Sequence, residues 1–180
     1  ILNCGGYIKS KGLHYALQVA SELKKRNILF HLDIVGVLYK GNESLTYYNE
    51  LQNYILKNNL KGFVTLHYNV KEMSFFYEQS DILIHPTSSE GLPRVIMEAM
   101  SYSIPVISNS VGGVNDYIID NFTGFLAGIS DIDKYVNNIL LLKDNPDTYN
   151  FITKNAYDLI KNSFSNEIQK NNINVILRNI

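Results

Sequence analysis

Two carboxylates, Glu90 and Glu98, stand eight residues apart and bracket the stretch E-G-L-P-R-V-I-M-E-A-M. Glu98 sits between Val95-Ile96-Met97 and Ala99-Met100, on a mostly apolar helix whose two faces should both be covered. A charge there needs a partner or a ligand. A place at the solvent edge, pairing with a cation such as Arg94 four residues earlier, and the hydroxyl groups of a ligand are the possibilities. Near the start of the chain, Gly5-Gly6-Tyr7-Ile8-Lys9-Ser10-Lys11-Gly12 puts a glycine pair and two lysines ahead of a helix. A glycine turn, a lysine and a helix N-terminus suit a phosphate or diphosphate, and a carboxylate on a neighbouring helix can accept two hydrogen bonds from a ribose. The loop is neither G-x-G-x-x-G nor a P-loop, so neither dinucleotide nor Walker-type binding is indicated. Taken alone, Lys11 reads equally well as a surface lysine at a helix start, and Gly112-Gly113 as a plain turn.

Other reactive residue types count for less. Of His14, His31, His67 and His85, only His85, just before Pro86 at a strand end, is expected near these loops. Asp131-Ile132-Asp133 spells a D-x-D, but it opens an amphipathic helix, where acidic residues cap. The single cysteine, Cys4, cannot form an intramolecular disulfide, and no Cys/His pairs stand at zinc-ligand spacing. This favours a reducing compartment, with the cytoplasm the expected location.

These residues must be positioned by the elements around them. Ile1 to Gly6 reads as a short strand with a glycine turn. Leu13, Ala16, Leu17, Ala20 and Leu23 then recur at helical spacing up to Lys24-Lys25-Arg26. Ile28 to Val37 alternates like a strand, Glu43 to Lys57 reads as a helix, Phe63 to His67 as a strand and Val70 to Gln79 as a short helix. Asp81 to His85 is a compact apolar strand, followed by a helix from Pro93 to Ser101, with proline at its first position. A fifth strand over Ile104 to Ser108, the Val111-Gly112-Gly113 turn, a sixth strand over Gly124 to Leu126 and two or three closing helices complete the order. Ile132, Tyr135, Val136, Ile139 and Leu142 line the first of those helices.

Strands alternating with helices predict an α/β fold, a Rossmann-like parallel sheet flanked by helices. In such sheets ligands bind beyond the carboxyl ends of the strands, the edge where all the loops above should gather. The length of 180 residues supports one domain over residues 1–180, and a formal net charge of −1 excludes a globally basic nucleic-acid binder. No apolar run approaches the roughly 18 to 20 residues that span a bilayer. The chain opens at Ile1, inside an apolar stretch, which suggests a piece of a longer polypeptide.

The block from Glu90 to Met100, followed by Ile104-Pro105-Val106-Ile107-Ser108, Val111-Gly112-Gly113 and Asn121-Phe122-Thr123-Gly124-Phe125-Leu126, resembles the E-x7-E region in the C-terminal half of glycosyltransferase family 4. Lys11-Gly12 resembles that family's K-G helix start. The resemblance covers nearly the whole chain. It implies the C-terminal half of a two-domain GT-B fold, with an N-terminal acceptor domain belonging to the same polypeptide. It also implies a retaining glycosyltransferase that moves a sugar from a nucleoside-diphosphate donor, UDP- or GDP-linked, to an acceptor hydroxyl. Surface polysaccharide or glycan assembly is the implied setting, with no cofactor or metal, no nucleic-acid partner, and contact with the inner face of a membrane only through the other half.

By the same resemblance, Glu98 meets the ribose hydroxyls, Lys11 the diphosphate, and Glu90, the implied catalytic residue, the donor sugar. The amides of Gly91 and Leu92 lie near the phosphates, and the backbone at Asn69 and Val70 beside the base. Four positions depart from the family pattern. Gly6, counted in the donor site, stands where the family usually has arginine, and Lys9 or Arg94 would have to compensate. Gly36 is what remains of a G-x-G, Tyr68 stands where glycine is common, and Asp116 replaces a glutamate. These departures admit a second reading, a nucleotide-binding or interaction module that does not catalyse. A sugar phosphorylase or synthase of the same architecture is a third.

Overall fold

The computed structural model describes residues 1–164. Apolar runs too short for helices pair as strands, and the longer amphipathic stretches between them pack back over the sheet. The elements are β1 (Leu2–Cys4), α1 (Leu13–Lys25), β2 (Leu32–Gly36), α2 (Asn42–Lys57), β3 (Val64–Tyr68), α3 (Ser74–Glu78), β4 (Leu83–His85), α4 (Arg94–Ser101), β5 (Val106–Ser108), β6 (Phe125–Leu126), α5 (Ile132–Asp144) and α6 (Pro146–Ser163). The strand order is β3-β2-β1-β4-β5-β6 and every pairing is parallel, so the chain is a Rossmann-like α/β domain. One face of the sheet is covered by α1, α2 and α5, through Leu13, Leu17, Leu23, Tyr47 and Tyr135 against Ile34 and Ile84. The other is covered by α3, α4 and α6, through Tyr77, Ile96, Met100 and Ala156 against Leu2, Val35 and Leu83. Each leucine, isoleucine, valine or methionine among them, fully buried, contributes roughly 1.5–3 kcal/mol to folding.

Several boundaries differ from the sequence reading. The second strand begins at Leu32 rather than Ile28, because Leu2 of β1 pairs with Asp33 and no neighbouring strand extends beside residues 28–30. The alternation there has another cause: Ile28 and Phe30 pack on the α1/α5 core while Leu29 is exposed. The third helix covers Ser74–Glu78 instead of Val70 to Gln79, since Asn69 takes a left-handed φ of 54° and the chain turns before it can coil. Pro93 precedes α4 as its N-cap instead of opening it, with a non-helical ψ of 76°. Strands β4, β5 and β6 begin one or two residues later than predicted, and Tyr68 closes β3. The Val111-Gly112-Gly113 turn leads into a 3-10 turn over Gly112–Asp116. Two closing helices, α5 and α6, are present, and a third would lie outside the described residues.

What matters for the site is how tightly the loops at the carboxyl edge meet. Gly12 adopts φ 61°, and a Cβ there would fall on the carbonyl oxygen of Pro86. Ser88 N donates to Ser10 O at 2.8 Å, and Thr87 Oγ1 to the same oxygen at 3.1 Å. Asn109, buried beyond β5, receives Thr87 N and returns a hydrogen bond to Thr87 O, both at 2.8 Å. Gly112 and Gly113 let their loop lie against the carbonyls of Glu90 and Gly91, where any Cβ would collide with them. That close approach, rather than a plain turn, is why the pair is glycine.

Gly12→Ala is expected to lower stability by on the order of 2 kcal/mol, combining a left-handed residue with a collision against backbone. Gly62→Ala, at φ 85° but in open space, controls for the backbone term alone. Urea denaturation of both variants checks this, and equal losses would mean that the approach to Pro86 adds nothing.

Candidate functional site

The strand order reverses between β1 and β4: the chain runs outward from β1 through β2 to β3, then crosses to the other side of β1. The loops following β1 and β4 therefore leave the sheet side by side and frame a crevice at its carboxyl edge. Its walls are Cys4, Gly5, Lys11, His85, Glu90 and residues 92–95, around a volume of about 210 Å³. A larger hollow of about 390 Å³ lies at the opposite edge, lined mainly by apolar side chains such as Ile28, Phe30, Ile139 and Tyr149. It holds none of the predicted residues, whereas the smaller crevice gathers both ends of the Lys11–Glu90 pair.

Lys11 Nζ donates to Glu90 Oε1 at 2.6 Å, and His85 Nε2 meets the same oxygen at 2.9 Å. The Glu90 side chain is only 9% exposed, and His85 is buried. Burial pushes the Glu90 carboxyl up, but the hydrogen bonds from His85 and Lys11 together outweigh it and hold the group below the usual carboxylate range. An ionised carboxylate can only accept, so His85 Nε2 carries a proton and donates it to this contact. Its Nδ1 is buried with no partner among the described residues. Lys11 also reaches Ser89 O, at 3.5 Å. Among the described residues the amide N–H groups of Gly91 and Leu92 donate to nothing, and a Cβ at Gly91 would meet open space. The edge thus presents a cation and two free backbone donors beside a carboxylate, a set that can receive an anion and hold a hydroxyl group.

Glu98 lies on α4, beyond the crevice lining, and the structure corrects the expectation that its face of the helix is covered. Its side chain is 38% exposed, while Ile96, Ala99 and Met100 take the buried positions. Its partners are Tyr77, whose hydroxyl donates to Oε2 at 2.7 Å, and Arg94, whose Nη2 stands at 3.5 Å from Oε1. Asn69 and Val70 flank the same side of the edge. Asn69 Oδ1 accepts from Leu38 N at 3.1 Å, tying the loop after β2 to the end of β3, and Val70 packs in the cluster that contains Tyr77.

At Gly6 a Cβ would lie 2.8 Å from the hydroxyl of Tyr39 and closer still to its ring. Tyr39, from the loop after β2, fills the space that a side chain at position 6 would take. Its backbone is anchored by Tyr39 N donating to the buried Ser44 Oγ. No spacing in the sequence signalled this contact, nor the one from Tyr77. Lys9 does not join Lys11; it pairs with Glu50 on α2. Asp131 caps α5 by accepting from Lys134 N, and Asp133 pairs with Arg26, so the D-x-D is structural. His14 meets Tyr47, and His31 and His67 meet Asp33, all away from the crevice, which leaves His85 as the histidine of the site. No cluster suited to a metal ion occurs among the described residues, and no helix among them is long and apolar enough to cross a membrane.

The fold is an α/β domain of the GT-B type, with Lys11, Glu90 and the free amides of Gly91 and Leu92 at its topological switch point. The family model of the glycosyl transferases group 1 matches residues 1–159, and the chain belongs to that family. It is 32% identical over 150 residues to an uncharacterized glycosyltransferase of Haemophilus influenzae, covering 83% of this chain and 40% of that protein. It is 29% identical over 152 residues to a UDP-Gal:alpha-D-GlcNAc-diphosphoundecaprenol alpha-1,3-galactosyltransferase of Escherichia coli, covering 84% and 38%. The chain thus spans about two fifths of these relatives. Among solved structures, Anabaena Alr3699/HepE in complex with UDP superposes with a TM-score of 0.89 at 20% identity, over 99% of this chain and 49% of that one. The C-terminal domain of the group 1 protein LpcC from Francisella tularensis gives 0.81 at 20% identity, over 92% and 86%.

Because the folded state holds Glu90 below its unfolded value of 4.5, its contribution is complete above about pH 4.5 and is lost as pH falls through the lowered folded value. Glu90→Gln is expected to start less stable than wild type at about pH 6 and to lose less between there and about pH 3. Denaturant melts at both pH values check it, and parallel losses in the two proteins would contradict an ionised, held Glu90.

Proposed function

We propose that this chain is the donor-binding half of a retaining glycosyltransferase, which transfers a sugar from a nucleoside-diphosphate donor to an acceptor hydroxyl in surface polysaccharide or glycan biosynthesis. The observation that carries the reading is the meeting of Lys11 and Glu90 across the β1/β4 crevice, beside the free amides of Gly91 and Leu92. Departure of a nucleoside diphosphate leaves negative charge on the diphosphate and positive charge on an oxocarbenium-like sugar. Lys11 and the two amides stabilise the first. Glu90, with Oε1 occupied by Lys11 and His85, offers Oε2 to the sugar. Glu98 accepts from the ribose, and the backbone at Asn69 and Val70 flanks the base. Neither a metal nor a cofactor is assigned a role.

UDP is the favoured nucleotide, because the superposable Anabaena protein was solved with UDP and with UDP-glucose and the Escherichia coli relative is named for a UDP-linked sugar. The acceptor side is assigned to another domain, so this chain by itself is expected to transfer no sugar. Tyr39 over Gly6 favours a second reading, a nucleotide-binding module without catalysis, because it removes one place for a cation.

Titration of the chain with UDP, GDP, ADP and CMP tests the nucleotide site that both readings share. A nucleotide that binds only the folded state stabilises it by about 2.7 kcal/mol at a hundredfold excess over Kd. The expected result is a UDP response in wild type that Lys11→Ala and Glu98→Ala abolish or strongly reduce. A folded chain that responds to no nucleotide would defeat the assignment of the crevice.

A further inference from the structure

Glu98 is held from beneath by a residue that the proposed function leaves unused. Tyr77, on α3, is 3% exposed, and its hydroxyl donates to Glu98 Oε2 at 2.7 Å. The ring is fixed by stacking on Tyr102 at the C-terminal end of α4, with centroids 5.2 Å apart and planes at 27°. Beneath it lies the buried Cys4 thiol, at the end of β1. Burial, together with the neighbouring Cys4 and Glu98, pushes the phenol far above its ordinary value, so Tyr77 stays an O–H donor. Among the described residues the remaining partner of the Glu98 carboxylate is Arg94, exposed and at the limit of hydrogen-bond distance from Oε1. An exposed pair at i,i+4 orients a carboxylate weakly. Left to Arg94, Glu98 would turn freely in solvent.

We propose that Tyr77 is a positioning residue that sets the Glu98 carboxylate for the ribose hydroxyls of the donor nucleotide. The inference rests on the reading of Glu98 given above. Each carboxylate oxygen has two acceptor positions, so Oε2 keeps one after accepting from Tyr77 and Oε1 stays open to a second hydroxyl. The hydroxyl of Tyr77 thus removes the rotational freedom that two simultaneous hydrogen bonds to a diol would otherwise cost. Glu90 is arranged alike: a buried donor, His85, holds one oxygen and leaves the other open.

The test is calorimetric titration with UDP and with 2′,3′-dideoxy-UDP, which lacks the hydroxyls that Glu98 would receive. Four proteins are compared: wild type, Tyr77→Phe, Glu98→Gln and the double variant. Tyr77→Phe keeps the stacked ring and removes only the donor. The expected result is that Tyr77→Phe weakens UDP about fivefold, leaves the dideoxy nucleotide unchanged, and has no further effect in the Glu98→Gln background. Both nucleotides are measured on one preparation, so any loss of folded protein cancels from their ratio. Equal weakening of both nucleotides, or an undiminished preference for UDP, would overturn the positioning role. A wild type that binds both nucleotides equally would remove the role of Glu98, and that of Tyr77 with it. Absence of UDP binding to wild type would overturn the donor reading itself.

Discussion

A carboxylate removed from water must be met by hydrogen-bond donors, and Glu90 is met by two on a single oxygen. Those donors come from two strands adjacent in the sheet but far apart in the chain: Lys11 follows β1, and His85 ends β4. The contact therefore exists only because the strand order reverses between β1 and β4. The same reversal leaves the crevice above them uncovered. Ion pair and crevice have one topological origin, so the groups that could hold a diphosphate are also those that stabilise the edge itself. A ligand at Lys11 would compete with Glu90 for the ammonium or share it, and His85 would keep the carboxylate partnered in either case.

That arrangement tolerates little slack, and the glycines show why. Gly12 lies on the carbonyl of Pro86, Gly112 on that of Glu90 and Gly113 on that of Gly91. Three loops are thereby pressed together by backbone, with Ser10, Thr87 and Asn109 closing the hydrogen bonds between them. Backbone contacts of this kind are stiff, so the side chains that these loops carry keep fixed separations from one another. Gly6 works differently. It makes room for a side chain, Tyr39, brought in from the loop after β2. A cation at position 6 would require that ring to move, so the change at Gly6 and the placement of Tyr39 belong together.

The Glu98 side of the edge is built with less cover. Partly exposed on α4, the carboxylate draws its order from Tyr77 beneath it rather than from a cation beside it. The covering of α4 ends at the buried positions Ile96, Ala99 and Met100, and Glu98 stands where solvent begins. A buried ring with a single outward hydrogen bond is an economical support for such a group, because it contributes burial and direction together.

Much of the fold was legible in the sequence. Periodicity identified α1 and α5, since a helix that packs on a sheet must repeat its apolar positions near 3.6, Pro93 marked the start of the helix that became α4, and short apolar runs bounded by glycine and proline marked the strands. The order of elements then fixed a parallel sheet and put Lys11, Glu90 and the Gly91-Leu92 amides on one edge. The E-x7-E block and its neighbours carried the family, because those spacings are set by the strand, loop and helix that hold them. Boundaries were less legible: the alternation of Ile28 and Phe30 came from packing rather than from pairing, and local pattern is the same for both. What only the tertiary structure decided is who partners whom. Lys11 with Glu90, Tyr77 with Glu98 and Tyr39 over Gly6 join residues separated by 79, 21 and 33 positions in the chain, so no local spacing encodes them. They arise from strand order and close loop packing, which bring distant backbones together and leave each buried polar group to the donor that happens to be within reach.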